Sequence, residues 1–481
     1  MVIETSRTIV KIPSLDTRGR TIVVAASNTI NPYLAPAAYH CDGTNDQVEI
    51  NAAITALGAI GGTVMLLEGT YNITASINLA TLTTLMGQGA GTVLRVPNGH
   101  DADLNVISVV NANRVIVADL RIDGNRANQT AGDMNGIYFD TVTYSTIARC
   151  WVENMAGGYV FDTAGITLSA SDNNTVTSNN VQSNGYYGIY LYASSNNTVA
   201  GNNIQSNGNT GIYFFTSSDN NTVTGNNIQS NAGSGITLRT SCDNNTITGN
   251  NCQSNDGTGV DLVASSNNTI SGNNCQGNDI NGIALAASSN NTISGNYCQS
   301  PVGNAGILLD TNSNNNTVTG NNCQGNDDYG INVVASSNNT ITGNNCQSSL
   351  GIGIGISASD NNTIAGNNCQ SNGYVGIWLE FSNNNTITGN TVVGNSQALD
   401  NTYDGIIIDN NSDYNNVQGN TVRHAGGANQ HRYGIRINNA NCDGNLVIDN
   451  DLYQAGRTLD YSDAGTLTIY HNNRITVGWV P

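Results

Sequence analysis

Through the middle of this chain apolar and polar residues alternate in runs of three to six, and Gly, Asn and Ser separate the runs. Residues 267–289 are representative: NNTISGNNCQGNDINGIALAASS. A period of two, with no recurrence every three or four residues, predicts short β-strands joined by turns. Each unit yields three strands. Thr-Ile-Ser puts Ile270 inward, Asn-Cys-Gln puts Cys275 inward, and Gly-Ile-Ala-Leu puts Ile283 and Leu285 inward.

The unit repeats. Asn-Asn-Thr begins at positions 173, 196, 220, 244, 267, 290, 315, 338, 361 and 384, at spacings of 23 to 25 residues. A fixed period of this length marks a solenoid, in which each coil stacks on the next and equivalent residues form columns at a strand spacing of about 4.8 Å. The expected fold is all-β: a single-stranded parallel β-helix with coils of about 23 residues. Near the N-terminus the pattern changes. Ile50, Ile54 and Leu57 share one helical face, Asp46 and Glu49 have capping-box spacing, and Gly58 follows. A short helix there is expected to cover the first coil. The organisation read from the chain is an N-terminal extension (1–39), a cap with the first coils (40–100), the solenoid (101–470) and a tail (471–481).

Columns decide how individual residues are read. Cys252, Cys275, Cys298, Cys323, Cys346 and Cys369 share one position, which Val181, Ile204 and Ile228 occupy in earlier units. Exchange with Val and Ile identifies a buried apolar slot, so these thiols are expected to be free and inert. The Asn-Asn pairs are expected to build turn ladders, because Asn tolerates a left-handed backbone and its amide bonds along a stack.

Charge narrows the function. The formal net charge is −19, only 10% of residues are charged, and Lys11 is the single lysine. Between Gly165 and Asp400, Arg239 faces twelve acidic residues. No cationic stripe is available for a phosphate backbone, so nucleic acid is an unsuitable partner. Membrane insertion is not expected either, because no apolar run is long enough to span. The first residues, MVIETSR, do not read as a signal peptide.

Residues that break the repeat carry the candidate chemistry. On the Gly-Ile-x-Leu strands, Tyr190, Tyr192, Tyr213, Phe215, Arg239 and Asp261 point outward from four successive coils. Aromatic faces stack on sugar rings, and Arg and Asp bond sugar hydroxyls. Strand preference or an interface between subunits would also place rings there. Trp378 and Glu380 form a second patch on the same strand, with Asp310 several coils away. Asp404, Asp409, His424, His431, Arg432 and Arg436 form a third, from which Asp409, His424 and Arg436 are the catalytic candidates. Asp256 and Asp279 stack one coil apart. Calcium between them would relieve their repulsion, and so would solvent.

Residues 42–54 (DGTNDQVEINAAI), 61–71 (GGTVMLLEGTY) and 85–89 (LMGQG) resemble the opening of the pectate-lyase-like right-handed parallel β-helix superfamily. The resemblance covers about residues 40 to 100, and the repeats extend it to about 450. It implies a right-handed helix and an extended carbohydrate as substrate class, since lyases, glycoside hydrolases, epimerases and phage tailspikes share the architecture. It implies no particular reaction. The polygalacturonase set Asn-Thr-Asp, Asp-Asp, Gly-His-Gly and Arg-Ile-Lys is absent, although Gly434-Ile-Arg436-Ile echoes one fragment. The Asp-Pro-His-Asp signature of mannuronan epimerases is missing as well. Of the basic residue that pectate lyases set beside calcium, only Arg239 stands in the central coils. Two functions therefore stand. One is an extracellular or virion-surface protein that recognises a polysaccharide or cell-surface glycan, with or without lyase or hydrolase activity. The other is a non-catalytic adhesin, fibre or filament subunit, assembling as a homo-oligomer such as a trimer.

Overall fold

The computed structural model describes residues 20–29, 37–157, 163–300, 302–476 and 478–479. The segment read above for a signal peptide, together with Lys11, lies outside the described residues. The chain winds as one parallel β-helix. Each central coil contributes a strand to each of three sheets, as in Thr269–Ser271, Asn274–Gln276 and Asn281–Ala286, which we call sheets 1, 2 and 3. Neighbouring coils pair in register: Thr246 lies beside Thr269, Cys275 beside Cys298, and Leu262 beside Leu285. Sheet 2 narrows to single bridges at Asn322 and resumes at Asn345–Gln347.

The inward positions are those the alternation assigns. Ile270, Cys275, Ile283 and Leu285 are fully buried, as are their equivalents above and below. Val181, Ile204, Ile228 and Cys252 follow one another in a single column. All ten cysteines are free and buried. Among the described residues, one apolar core runs continuously from Ile22 to Ala455.

Asparagine closes the corners. The first Asn of each Asn-Asn-Thr has a left-handed backbone, with φ between 56° and 60°. The second is buried, and its Oδ1 accepts the backbone N–H of its counterpart one coil earlier, as in Asn245 N–H to Asn268 at 2.7 Å. A parallel ladder runs through Asn250, Asn273 and Asn296, and another through Asn207, Asn231 and Asn255. Each amide satisfies backbone groups that the turns would otherwise leave buried and unpaired.

The N-terminal helix spans Gln47–Leu57 and buries Ile50, Ile54 and Leu57, and Gly58 ends it at φ 66°. One detail departs from expectation. Asp46 occupies the N-cap position but makes no capping bond within the helix. Its carboxylate instead accepts N–H groups from Gly43 (2.8 Å) and Asn72 (2.7 Å), tying the helix to the first coil. Arg20–Ala25 precedes the helix and pairs with Gly62–Leu66 in sheet 1. At the far end Tyr461 and Tyr470 stack, with centroids 3.7 Å apart, and pack against the last core residues. Among the described residues no helix is long and apolar enough to cross a membrane.

Candidate functional site

Sheet 3 carries the outward residues of interest in two straight columns. One runs Thr167, Tyr190, Tyr213, Thr237, Asp261, and the other Ser169, Tyr192, Phe215, Arg239, Val263. A glycine opens each strand. A Cβ on Gly188, Gly211, Gly235 or Gly259 would lie within 2.8 Å of the carbonyl oxygen of the next coil's glycine, so the corner closes only without a side chain. This places the platform residues at the same height on every coil.

The rings form one cluster. Tyr213 stacks on Tyr187 (4.6 Å between centroids), Tyr190 (5.7 Å) and Phe215 (5.8 Å), at interplanar angles of 22° or less. Tyr192 lies 6.1 Å from Phe215, and Tyr186 meets Tyr187 edge-on at 4.4 Å. Tyr190 is 3% exposed and forms the floor, whereas Tyr192 is 40% exposed and forms the rim. A cavity of about 400 Å³ opens beside them, lined by Tyr138, Thr167, Ser169, Tyr190 and Tyr192. Tyr186 and Tyr187 escaped the column reading because they precede the inward pair. The run Tyr186-Tyr187-Gly-Ile-Tyr190-Leu-Tyr192 was the available signal.

Electrostatics at the platform are simple. Asp261 is half-buried; burial pushes its carboxyl pKa up to about 6, and Arg239 opposes the shift. Burial also raises the Tyr213 phenol, again against Arg239. Arg239 itself is exposed.

Trp378 and Glu380 lie farther along the same face. Trp378 packs with Ile352, Val375, Ile407, Tyr329 and Tyr403 in a second apolar cluster outside the core. Glu380 is paired in register with Asp409. Asn410 donates to Glu380 at 2.8 Å, and Asn438 donates to Asp409 at 2.8 Å. Asp310 holds the same column as Ala286, and its carboxylate accepts the Thr311 N–H at 2.7 Å.

The third group comes together only in part. Asp404 is buried and holds Arg432 through two bonds, at 3.1 and 2.9 Å, with Arg436 3.7 Å away. Arg436 sits on sheet 3, whereas His424 follows the sheet 2 strand Thr421–Arg423 and accepts the Gly426 N–H at 3.2 Å. His431 is buried at the end of an asparagine ladder, where its Nε2 accepts the Asn395 N–H at 2.8 Å and its Nδ1 faces the Ala455 carbonyl at 3.1 Å. Burial lowers its pKa to about 4, so it stands as a neutral imidazole in place of an asparagine.

Asp256 and Asp279 are exposed on successive turns, their N–H groups bonded to Asn231 and Asn255. Among the described residues, the one group of three metal-ligating side chains in mutual reach is Cys41, Asp46 and Glu49. There Asp46 is already engaged by Gly43 and Asn72, and burial, reinforced by both carboxylates, pushes the Cys41 thiol far up.

These features define a right-handed parallel β-helix protein with an aromatic platform on one sheet. The family described as right handed beta helix region matches residues 100–204 and 135–298, and that described as periplasmic copper-binding protein (NosD) matches 253–402. No curated protein matches the chain. Solved structures with a similar course include ORF18 of Geobacillus virus E2, at 17% identity over 53% of this chain and 54% of that one, TM-score 0.47. The chain thus spans about half of that protein's length. The A-module of the Azotobacter vinelandii mannuronan C-5 epimerase AlgE6 shows 18% identity over 89% and 97%, TM-score 0.41. The Dettilon tailspike protein shows 19% over 62% and 67%, TM-score 0.43. At such identities the likeness concerns the fold alone.

Copper does not fit the residues present. Residues 253–402 contain no His and no Met, and their five cysteines are fully buried in the core column. Burial pushes the thiols of Cys298, Cys323 and Cys346 up, away from the thiolate that binds soft metals.

Proposed function

We propose that this protein binds a polysaccharide on the outer face of sheet 3. Tyr192, Tyr213 and Phe215 offer stacking faces, and Arg239 and Asp261 offer bonds to hydroxyls. One observation carries this reading: on two successive coils Tyr190, Tyr192, Tyr213 and Phe215 fill both outward columns with rings, a cavity opens at their edge, and on the five coils that follow no outward position of these columns holds a ring. Burial of Tyr190 and Tyr187 beneath the exposed rings fixes their orientation before a ligand arrives, which lowers the entropy cost of binding. The reading carries an extracellular or virion-surface setting, where such polymers are met. Asp261, with its raised pKa, is the group in this cluster suited to exchange a proton near neutral pH, so lyase or hydrolase chemistry would centre there.

A second reading is a rigid structural subunit whose exposed rings bury against another copy. The uniform, charge-poor coils favour it. One experiment separates the two: a glycan array and a depolymerisation screen, with particle mass measured by light scattering in the same buffer. Under the first reading Tyr213→Ala weakens binding about tenfold or more, equivalent to roughly 1.4 kcal/mol, at unchanged mass. A change in mass without any glycan binding supports the second.

A further inference from the structure

Outside the main core, the described residues contain two apolar clusters, and both lie on sheet 3. The first centres on Tyr190 and Tyr213 and the second on Trp378. In-register pairing makes Tyr213 and Trp378 members of one column, through Thr237, Asp261, Ala284, Leu308, Asn332 and Gly355. Seven coil steps of about 4.8 Å separate them, roughly 34 Å. The strand of Tyr329, at the near edge of the second cluster, is five steps from Tyr213, or about 24 Å.

The strip between the clusters carries no ring in the two outward columns. Its outward pairs are Thr237 and Arg239, Asp261 and Val263, Ala284 and Ala286, and Leu308 and Asp310. A protein partner would meet two small apolar islands divided by four coils, not the contiguous apolar centre that protein interfaces build. A ligand that repeats along its length meets the same surface differently, because it can touch both islands and cross the strip between them.

Charge narrows the ligand. From Tyr190 to Asp409 the two outward columns hold Arg239 and four carboxylates: Asp261, Asp310, Glu380 and Asp409. Arg436, one coil beyond, is engaged by Asp404. A polymer with a carboxylate on each sugar would meet net repulsion along this face and from a chain of net charge −19.

From this we infer that the ligand is an uncharged polysaccharide chain lying parallel to the helix axis and engaging both aromatic clusters at once. The inference rests on the binding function proposed above and adds the charge class, the direction and the minimum reach of the ligand. Two clusters on one rigid rod act as linked sites, so a polymer long enough to bridge them binds more tightly than either cluster alone allows.

Affinity electrophoresis of the full chain tests this, with gels containing galactomannan, xyloglucan, mixed-linkage β-glucan or dextran, and with alginate or polygalacturonate as the anionic probes. Retardation is expected in at least one neutral gel and in neither uronate gel. Tyr213→Ala and Trp378→Ala are each expected to weaken retention tenfold or more. Phe215→Ala and Tyr403→Ala repeat the comparison from neighbouring rings, and an unchanged melting temperature certifies each variant as folded. A short oligosaccharide of the retained polymer, too small to bridge the clusters, should respond to substitution in one cluster only. Retention by a uronate polymer overturns the charge class. Retention lost with Tyr213→Ala but unchanged in both Trp378→Ala and Tyr403→Ala overturns the two-cluster mode and leaves the binding function standing. Retention by none of the gels overturns the binding function and this inference together.

Discussion

At the scale of single residues, the structure is governed by what fills the ladder positions. His431 takes an asparagine's place by offering an unprotonated Nε2 to Asn395. Its pKa, lowered from 6.5 to about 4, means the unfolded chain takes up a proton on acidification before the folded one does. Stability from this group is therefore complete above about pH 6.5 and is lost as pH falls towards 4, a loss of about 3 kcal/mol. His431→Asn keeps an acceptor and should flatten the dependence of melting temperature on pH across that window. Ser349 presents the converse case. It holds an asparagine position, its hydroxyl is buried without a partner, and the Asn326 Nδ2 facing the gap is likewise unpaired. Ser349→Asn should complete the ladder and raise stability by about 1–2 kcal/mol, read as a shift in the urea midpoint. Asn273→Ala should do the reverse by roughly 2–4 kcal/mol, because it removes the acceptor of the Asn250 N–H and the donor to the Ile247 carbonyl.

At the scale of the strand and the coil, the cysteine column shows that identity matters less than volume. Six thiols stand where other coils place Val and Ile, all at zero exposure. Substitution of Cys298 by Val should change stability by less than about 1.5 kcal/mol. Ellman's reagent should modify none of the ten cysteines in the native protein and all ten after denaturation. The helix Gln47–Leu57 is an element of a different kind, since it exists to cover the first coil. Ile54→Asp would place a charge against that coil's core and should expose an apolar end, giving a lower melting temperature and a rise in mass by light scattering.

At the scale of the whole molecule, a continuous core and in-register sheets make a stiff rod, and stiffness is what allows two clusters about 34 Å apart to act on one ligand. A rod of this type loses stability coil by coil, so substitutions in the central ladders should broaden the unfolding transition as well as shift it. The two ends close differently: a helix covers the first coil, and the stacked pair Tyr461 and Tyr470 shields the last.

The coil, its three strands, the inward positions, the free cysteines and the capping helix were all legible in the amino-acid sequence. This was so because period and exchange between equivalent positions are local properties, repeated ten times over. The sequence also placed Tyr190, Tyr192, Tyr213, Phe215, Arg239 and Asp261 in their columns. Only the folded chain shows which of them are floor and which are rim, that Tyr186 and Tyr187 join them, and that Trp378, on the same outward column as Tyr213, gathers Tyr329 and Tyr403 into a second cluster. It also set His424 and Arg436 on different sheets and made His431, a member of the same group in sequence, a ladder residue. Those facts depend on which side chains cover one another across coils and on how irregular loops return to the stack, and a one-dimensional period carries neither.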